Sequence, residues 1–237
     1  MTIIEARNLG ITFPVYGASA MSLRSSIVSQ TAGGMLHSKE NQIVQVDALS
    51  EISFIAQPGD RIGLTGHNGA GKSTLLRTLA GIYSPTTGEL TIRGKRASIL
   101  SLGTGLEPKL TGSENIIRMS MFYGASYKYA LQICDDVENF AELGDFINLP
   151  VSLYSSGMIT RLTFGVATSI ASDILLVDEV IGAGDGEFKK KAEERLNNVV
   201  LNTGIFVVAS HSNDIIDRLC NRILRFEKGK IVEDRKI

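Results

Sequence analysis

Residues 66–73 carry the residue types and spacing that point most directly to a chemistry. They read Gly66-His67-Asn68-Gly69-Ala70-Gly71-Lys72-Ser73, a full match to the phosphate-binding pattern G-x-x-x-x-G-K-[ST]. A short apolar strand is predicted just before the loop, and apolar residues recur at helical spacing from Thr74 onwards. In this context the backbone N–H groups converge on phosphate oxygens, Lys72 reaches the β- and γ-phosphates, and the Ser73 hydroxyl is a ligand for Mg²⁺. The loop therefore predicts a nucleoside triphosphate site.

A pair of acidic side chains follows a second apolar segment. Four apolar residues at 174–177 precede Asp178 and Glu179, which places both carboxylates at the C-terminal edge of a buried sheet, where open α/β sheets bind ligands. Asp178 is expected to hold Mg²⁺, and Glu179 is a candidate base that polarises an attacking water. Two solvated acids at a strand end are common by themselves, but beside the glycine loop they indicate a hydrolytic site.

Composition narrows the class of protein. The 237 residues fit one large domain, and 43% hydrophobic with 21% charged residues is ordinary for a globular protein. A net charge of −1 provides no electrostatic footprint for nucleic acid. Cys134 and Cys220 are isolated, which indicates neither a disulfide framework nor a zinc site. Since no apolar run approaches the roughly 18–20 residues that span a bilayer, and no signal peptide is recognisable, we expect a cytoplasmic protein that reaches the membrane through a partner.

The order of the remaining patterns predicts an α/β fold with a mainly parallel sheet. Strands are expected at 3–9, 11–13, 49–56, 61–65, 88–94, 174–177 and 205–209, helices at 188–200 and 213–220, and a final hairpin that turns at 228–229. A capping box at 111–114, Thr-Gly-Ser-Glu, predicts a helix start. A largely helical stretch follows, broken at Gly124, Gly144 and Pro150, so we expect a helical subdomain over 107–170 inserted into the core.

Residues 17–47 differ in texture, because serine, glycine and other polar residues dominate them. Within this predicted insertion, apolar residues stand at helical spacing between Ala20 and Val28, and Gly33-Gly34 would end such a helix. Two interpretations stay open. The segment is either a surface insertion packed on the sheet or a helix that meets a partner protein or substrate.

Tyr154-Ser155-Ser156-Gly157-Met158 opens a predicted helix 23 residues before Asp178. With this segment in place, the motifs closely resemble the ATP-binding cassette (ABC) ATPases, whose Leu-Ser-Gly-Gly-Gln signature precedes the acidic strand at a similar interval. Ser155 and Gly157 stand at matching positions of that signature. The resemblance implies that this helix N-terminus contacts the γ-phosphate bound by the opposite subunit. It also implies that Asp185 lies at the dimer interface and that His211, after a strand, touches the γ-phosphate.

The resemblance carries a fold, cofactors and site residues with it. It implies a P-loop NTPase cassette: an α/β domain with a mainly parallel core sheet, an antiparallel β subdomain and an inserted helical subdomain. Because the sequence stops at Ile237, we expect no carbohydrate-binding domain after the cassette. The implied cofactors are ATP and Mg²⁺, with Ser73 and Asp178 on the metal and catalytic roles for Glu179, His211 and Lys72. The implied nucleotide contacts are Gly66, His67, Asn68, Gly69, Ala70, Gly71, Lys72, Ser73, Thr74, Tyr16, Ser155, Gly157 and Asp185.

Two positions depart from the family pattern. A glutamine that usually helps to bind Mg²⁺ after the strand following Gly94 is missing, because no glutamine lies between Gln57 and Gln132. Ser101 is only a weak substitute for it. The aromatic side chain that stacks on adenine is either Tyr16 or Phe13, with Tyr16 favoured.

The branch of the family is indicated by Leu102-Gly103-Thr104-Gly105 and the run from Pro108 to Asn115. These segments resemble the ATPase subunits of bacterial polysaccharide exporters, which move lipid-linked O-antigen, capsule or teichoic acid chains across the inner membrane. The resemblance implies a homodimer of this chain, two copies of an integral-membrane subunit that docks near residues 100–108 and the helical subdomain, and a lipid-linked polysaccharide substrate. It implies a peripheral location on the cytoplasmic face of that membrane, with ATP binding closing the dimer and hydrolysis resetting it.

Three other functions are compatible with parts of this pattern. An ATPase subunit of another ABC transporter, for lipids, drugs or nutrients, is the first. A soluble cassette protein that acts on ribosomes or DNA is disfavoured by the single cassette and the near-neutral charge. A cassette that binds ATP without hydrolysing it is disfavoured because Lys72, Asp178, Glu179 and His211 occur together.

Overall fold

The computed structural model describes residues 2–15, 35–37, 44–100, 103, 105–178 and 186–237. Along the chain its elements are β1 (Ile3–Val15), β2 (Met35–His37), β3 (Val44–Ala56), β4 (Arg61–Thr65), α1 (Lys72–Leu79), β5 (Thr87–Arg93), β6 (Arg96–Ile99), α2 (Gly112–Phe122), α3 (Tyr127–Gln132), α4 (Cys134–Ala141), α5 (Ser156–Ser169), β7 (Ile174–Asp178), α6 (Gly186–Asn202), β8 (Ile205–Ala209), α7 (Asn213–Leu219), β9 (Arg222–Glu227) and β10 (Lys230–Lys236). Short 3₁₀ turns occupy Gly144–Asn148 and Val151–Leu153.

The chain falls into two units. The first contains Met1–Gly94, Leu176–Glu179 and Gly204–Ile237, and the second contains Lys95–Leu175 and Val180–Thr203. Among the described residues no helix is both long and apolar enough to cross a bilayer.

An antiparallel sheet in the first unit has the strand order β2-β3-β1-β5. Its central strand β1 buries Ile4, Leu9 and Ile11. The register of β1 against β3 shifts next to Asn8, whose φ of 47° marks a local bulge. The sheet is the antiparallel layer that the resemblance implied.

The predicted insertion at 17–47 needs a correction. Residues 35–37 form β2 and residues 44–47 begin β3, so parts of this segment belong to the antiparallel sheet. The prediction missed the start of β3 although Val44-Gln45-Val46-Asp47 alternates apolar and polar residues, because the polar composition nearby outweighed a short alternation. The helix expected between Ala20 and Val28 lies outside the described residues.

The second sheet of the first unit runs in the order β10-β9-β4-β8-β7. Strand β4 pairs in parallel with β8 and with β9, whereas β9 and β10 form an antiparallel hairpin. Every residue of β8 is buried, as are the apolar residues of β4, since a covered parallel sheet hides both faces of its strands. The mainly parallel core sheet, the strand at 61–65 and the hairpin turn at 228–229 are confirmed as predicted.

The second unit is mainly helical and has its own core. Helix α2 begins with the predicted capping box: the Thr111 N–H donates to Glu114 Oε2 at 2.8 Å, and the Glu114 N–H donates to Thr111 Oγ1 at 3.2 Å. Helix α5 packs on α2 and α4 through apolar side chains that include Met119, Val137 and Leu162. Besides the helices predicted between 107 and 170, the unit contains β6, the start of β7 and α6.

Candidate nucleotide-binding site

The glycine loop joins β4 to α1 through backbone conformations that favour glycine. Gly66, Gly69 and Gly71 have φ angles of 137°, 78° and 110°. At Gly66 a Cβ would lie 2.3 Å from the carbonyl oxygen of Phe226, so no larger residue fits there. The loop is therefore held in the tight glycine turn that phosphate binding requires.

Helix α1 begins at this loop without a side-chain cap, and its first turn contains no acidic residue. Lys72, its first residue, is only 7% exposed. The Lys72 ammonium donates to the carbonyl oxygens of Gly66 at 2.7 Å and His67 at 3.0 Å. The N–H groups of the first helical turn, the positive end of the helix dipole and a buried ammonium therefore meet at one point, which favours an anion.

Ser73 and Asp178 are brought together although 105 residues separate them along the chain. The Ser73 hydroxyl donates to Asp178 Oδ1 at 3.1 Å. A hydroxyl and a carboxylate at this separation form the oxygen donor set that Mg²⁺ prefers beside phosphates, so these residues fit the metal. The strand-end argument thus placed Asp178 correctly beside the loop.

The loop borders a cavity of about 290 Å³ in the first unit. Four segments line it: β3, the glycine loop with the start of α1, the end of β7, and the end of β8 with the residues that follow it. The lining residues are Val46, Ala48, Asn68, Gly69, Ala70, Gly71, Lys72, Ser73, Thr74, Asp178, Ala209, Ser210 and His211. Most of the sequence-predicted phosphate and metal residues therefore face one space.

His211 enters this cavity from the segment after β8 and is exposed there. Its neighbour Ser210 is buried, and the Ser210 Oγ accepts the N–H of Ser212 at 3.1 Å, which shapes the turn that presents the imidazole. The structure thus brings His211 to the same cavity as Lys72 and Asp178.

Val46 and Ala48 are lining residues that the sequence reasoning missed. Both belong to β3, and a Cβ at Gly71 would lie 2.9 Å from the Ala48 carbonyl oxygen, so β3 runs close to the loop. Only the short alternation at 44–47 could have indicated this wall. Its apolar side chains offer a surface for an uncharged part of a ligand.

The two candidates for the adenine-stacking aromatic differ in what the structure describes. Phe13 is half-buried and packs edge-on against Tyr83, with ring centroids 5.1 Å apart. Tyr16 lies outside the described residues, as do Glu179, Asp185 and Ser101.

Ser155 and Gly157 belong to the second unit, where they form the start of α5. Ser155 is the N-cap, and its hydroxyl accepts the Met158 N–H at 3.2 Å. Among the described residues, a Cβ at Gly157 would meet only Ser155 Oγ, at 3.8 Å, so this part of the structure leaves the helix start open. Just before it the Tyr154 hydroxyl donates to the Phe146 carbonyl oxygen at 2.6 Å, which anchors the segment.

Comparison with known proteins agrees with this geometry. The ABC transporter family model matches residues 49–182. The chain is 47% identical over 234 residues to the O-antigen export system ATP-binding protein RfbE of Yersinia enterocolitica, covering 99% of this chain and 98% of that one. It is 35% identical over 200 residues to the teichoic acids export ATP-binding protein TagH of Listeria monocytogenes, covering 84% and 59%.

Solved structures support the fold. The ATP-binding cassette MJ0796, in a dimeric post-hydrolysis state bound to ADP and Pi, superimposes with a TM-score of 0.71 at 20% identity and covers 98% of both chains. With the family model spanning more than half of the sequence, the predicted ATP-binding cassette fold is confirmed. The chain belongs to the ABC transporter family, as an ATP-binding cassette ATPase.

Proposed function

We propose that this chain is the ATP-hydrolysing subunit of an exporter that moves a lipid-linked polysaccharide of the O-antigen type across the bacterial inner membrane. The observation that carries the proposal is the 47% identity to an O-antigen export protein along nearly the whole of both chains. Relatives named for teichoic acid export point to the same class of cargo, a polymer on a lipid carrier.

In the proposed site the triphosphate occupies the cavity beside the glycine loop. The loop N–H groups and Lys72 neutralise charge on the β- and γ-phosphates. Such contacts are strong here because a preorganised site of low dielectric constant strengthens electrostatic interactions. Ser73 and Asp178 would hold Mg²⁺, which supplies further positive charge to the phosphates. Glu179 is proposed as the base that orients water, and His211 as a contact of the γ-phosphate.

The second half of the site is proposed to come from another copy of the chain. The open start of α5, at Ser155 and Gly157, suits a phosphate contact, since a helix N-terminus attracts anions. Asp185 would lie at the interface between the copies. Residues 1–237 then act as one nucleotide-binding domain in a homodimer, bound to two membrane subunits on the cytoplasmic face of the membrane.

A genetic test separates the cargo classes. Deletion of the gene should leave lipopolysaccharide without long O-antigen chains, with lipid-linked polymer accumulating inside the cell. Wild-type chain should restore the ladder on a silver-stained gel. The Lys72→Ala variant should fail to restore the ladder. The control variant Lys128→Ala, which changes an exposed lysine of the second unit, should restore it. If the deletion strain showed an unchanged ladder and retained a different compound inside the cell, the chain would instead be the ATPase subunit of another ABC transporter.

A biochemical test addresses the proposed base. Glu179→Gln should suppress ATP turnover and trap an ATP-bound dimer that gel filtration resolves. Undiminished phosphate release by this variant would remove Glu179 from the role.

A further inference from the structure

The hairpin between β9 and β10 ends in a turn made by Lys228 and Gly229. Their φ angles are 48° and 78°, and Glu227 pairs with Lys230, so this is a two-residue turn with both central residues left-handed. Lys228 is exposed, as expected at a hairpin tip, but Gly229 is buried. A buried residue in such a turn indicates that another segment packs against it.

Gly229 uses both of its backbone polar groups outside the hairpin. Its N–H donates to the carbonyl oxygen of Ala70, in the glycine loop, at 3.0 Å. Its own carbonyl oxygen accepts the N–H of Ser50, in β3, at 2.9 Å. One glycine thus joins the phosphate loop to the strand that forms the apolar wall of the cavity.

The packing around this joint leaves no space for side chains. A Cβ at Gly229 would lie 2.9 Å from the carbonyl oxygen of Ala48, and one at Gly71 would lie 3.4 Å from Gly229 Cα. At the other end of the loop, the Phe226 carbonyl oxygen of β9 closes on Gly66. The end of the hairpin therefore contacts the loop at both of its ends through backbone atoms.

We propose that the Lys228–Gly229 turn is a positioning element of the nucleotide site, and that Gly229 is its key residue. It touches no nucleotide itself. It sets the separation between the glycine loop and the β3 wall, so it determines how well the phosphates and the rest of the nucleotide are held at once. The neighbouring ion pair between Lys230 and Glu51, at 2.7 Å, is exposed and contributes little. The inference rests on the proposed nucleotide site.

The test is Gly229→Ala, measured as the dissociation constant of ADP by isothermal titration calorimetry. The methyl group displaces the turn and with it the hydrogen bond to Ala70, so the dissociation constant should rise about tenfold. The matched control is Gly59→Ala. Gly59 has a φ of 94° in the turn before β4, but no atom of the described residues lies within 4 Å of its Cβ position. It carries the same backbone strain, so its lower stability should come with unchanged ADP affinity.

A second variant keeps the test decisive if Gly229→Ala does not fold. Inserting two glycines between Lys228 and Gly229 lengthens the turn next to its exposed residue Lys228 and releases Gly229 from its hydrogen bond to Ala70 without adding a side chain. Affinity for ADP should fall while hydrogen exchange within residues 66–71 becomes faster. The Gly59→Ala control should change neither quantity.

The outcomes are distinguishable. If folded Gly229 variants, judged by circular dichroism, bind ADP within twofold of wild type, the positioning role is wrong. If wild-type chain itself binds no ADP, the proposed nucleotide site is wrong instead. If Gly59→Ala lost as much affinity for ADP, the loss would come from lower overall stability, and the inference would also be overturned.

Discussion

Replacing Lys72 with methionine should remove the thermal stabilisation that nucleotide confers, without destabilising the nucleotide-free protein. Lys72 is 7% exposed, and its ammonium donates to two loop carbonyls within 3.0 Å. Methionine keeps an unbranched stem of similar length in the same space. It removes a buried charge whose desolvation is costly, which offsets the loss of the two hydrogen bonds.

The size of the effect follows from the two acceptor positions of the ammonium. With phosphate oxygens in place of the carbonyls, two charge-assisted hydrogen bonds of about 1.5 kcal/mol each contribute about 3 kcal/mol, or about a hundredfold in affinity. At a nucleotide concentration one hundred times the wild-type dissociation constant, wild type gains about 2.7 kcal/mol and the variant about 0.4 kcal/mol. For a domain of this size, the nucleotide-induced rise in melting temperature should fall from about 5–10 °C to about 1 °C.

Differential scanning fluorimetry with and without ADP measures both quantities. The control is Lys128→Met, an exposed lysine in the second unit, which should show the wild-type shift. If Lys72→Met kept the full nucleotide-induced shift, the ammonium would not be a phosphate contact. If the nucleotide-free variant melted several degrees lower, the account of the loop carbonyls would be wrong.

Three further predictions concern the rest of the chain. Burial raises the pKa of the Cys220 thiol to about 12, so a disulfide reagent should titrate at most Cys134 in the native protein and both thiols after denaturation. The hydrogen bond from Arg195 lowers the pKa of Asp136, so the stability that it contributes is present at neutral pH and is lost as the pH falls below about 4; thermal melts of Asp136→Asn should differ from wild type at neutral pH and converge in acid. Thr111→Ala removes a helix cap and should lower the unfolding free energy by about 1 kcal/mol in urea titrations, whereas Thr111→Ser should not.

Much of the site could be predicted because its residues sit at the ends of strongly patterned elements. The loop after β4 and Asp178 after β7 follow continuous apolar runs, and buried parallel strands produce such runs. Because ligands bind at the C-terminal ends of parallel strands, the sequence predicted that Ser73 and Asp178 lie close together although 105 residues separate them.

The parts that escaped prediction depend on backbone packing between distant segments. The contact of Gly229 with Ala70 links two backbone groups, and backbone groups leave no residue-type signal in the sequence. Val46 and Ala48 line the cavity because β3 passes close to the loop. The alternation of apolar and polar residues at 44–47 indicates only that a strand is present. Strand β2, with three residues, is too short for a periodic pattern.

The missing cap of α1 has a consequence for how binding and folding are connected. A good N-cap side chain stabilises a helix by about 1 kcal/mol, and α1 has none because its N-cap residue is Gly71. With eight residues, α1 is also of a length at which isolated helices are only marginally stable. A phosphate group that accepts hydrogen bonds from the N–H groups of the first turn caps the helix in the way a serine or aspartate would. The bound nucleotide thus acts as the N-cap of α1. When it dissociates after turnover, the first turn of α1 becomes locally less stable, which favours local opening at the start of this helix.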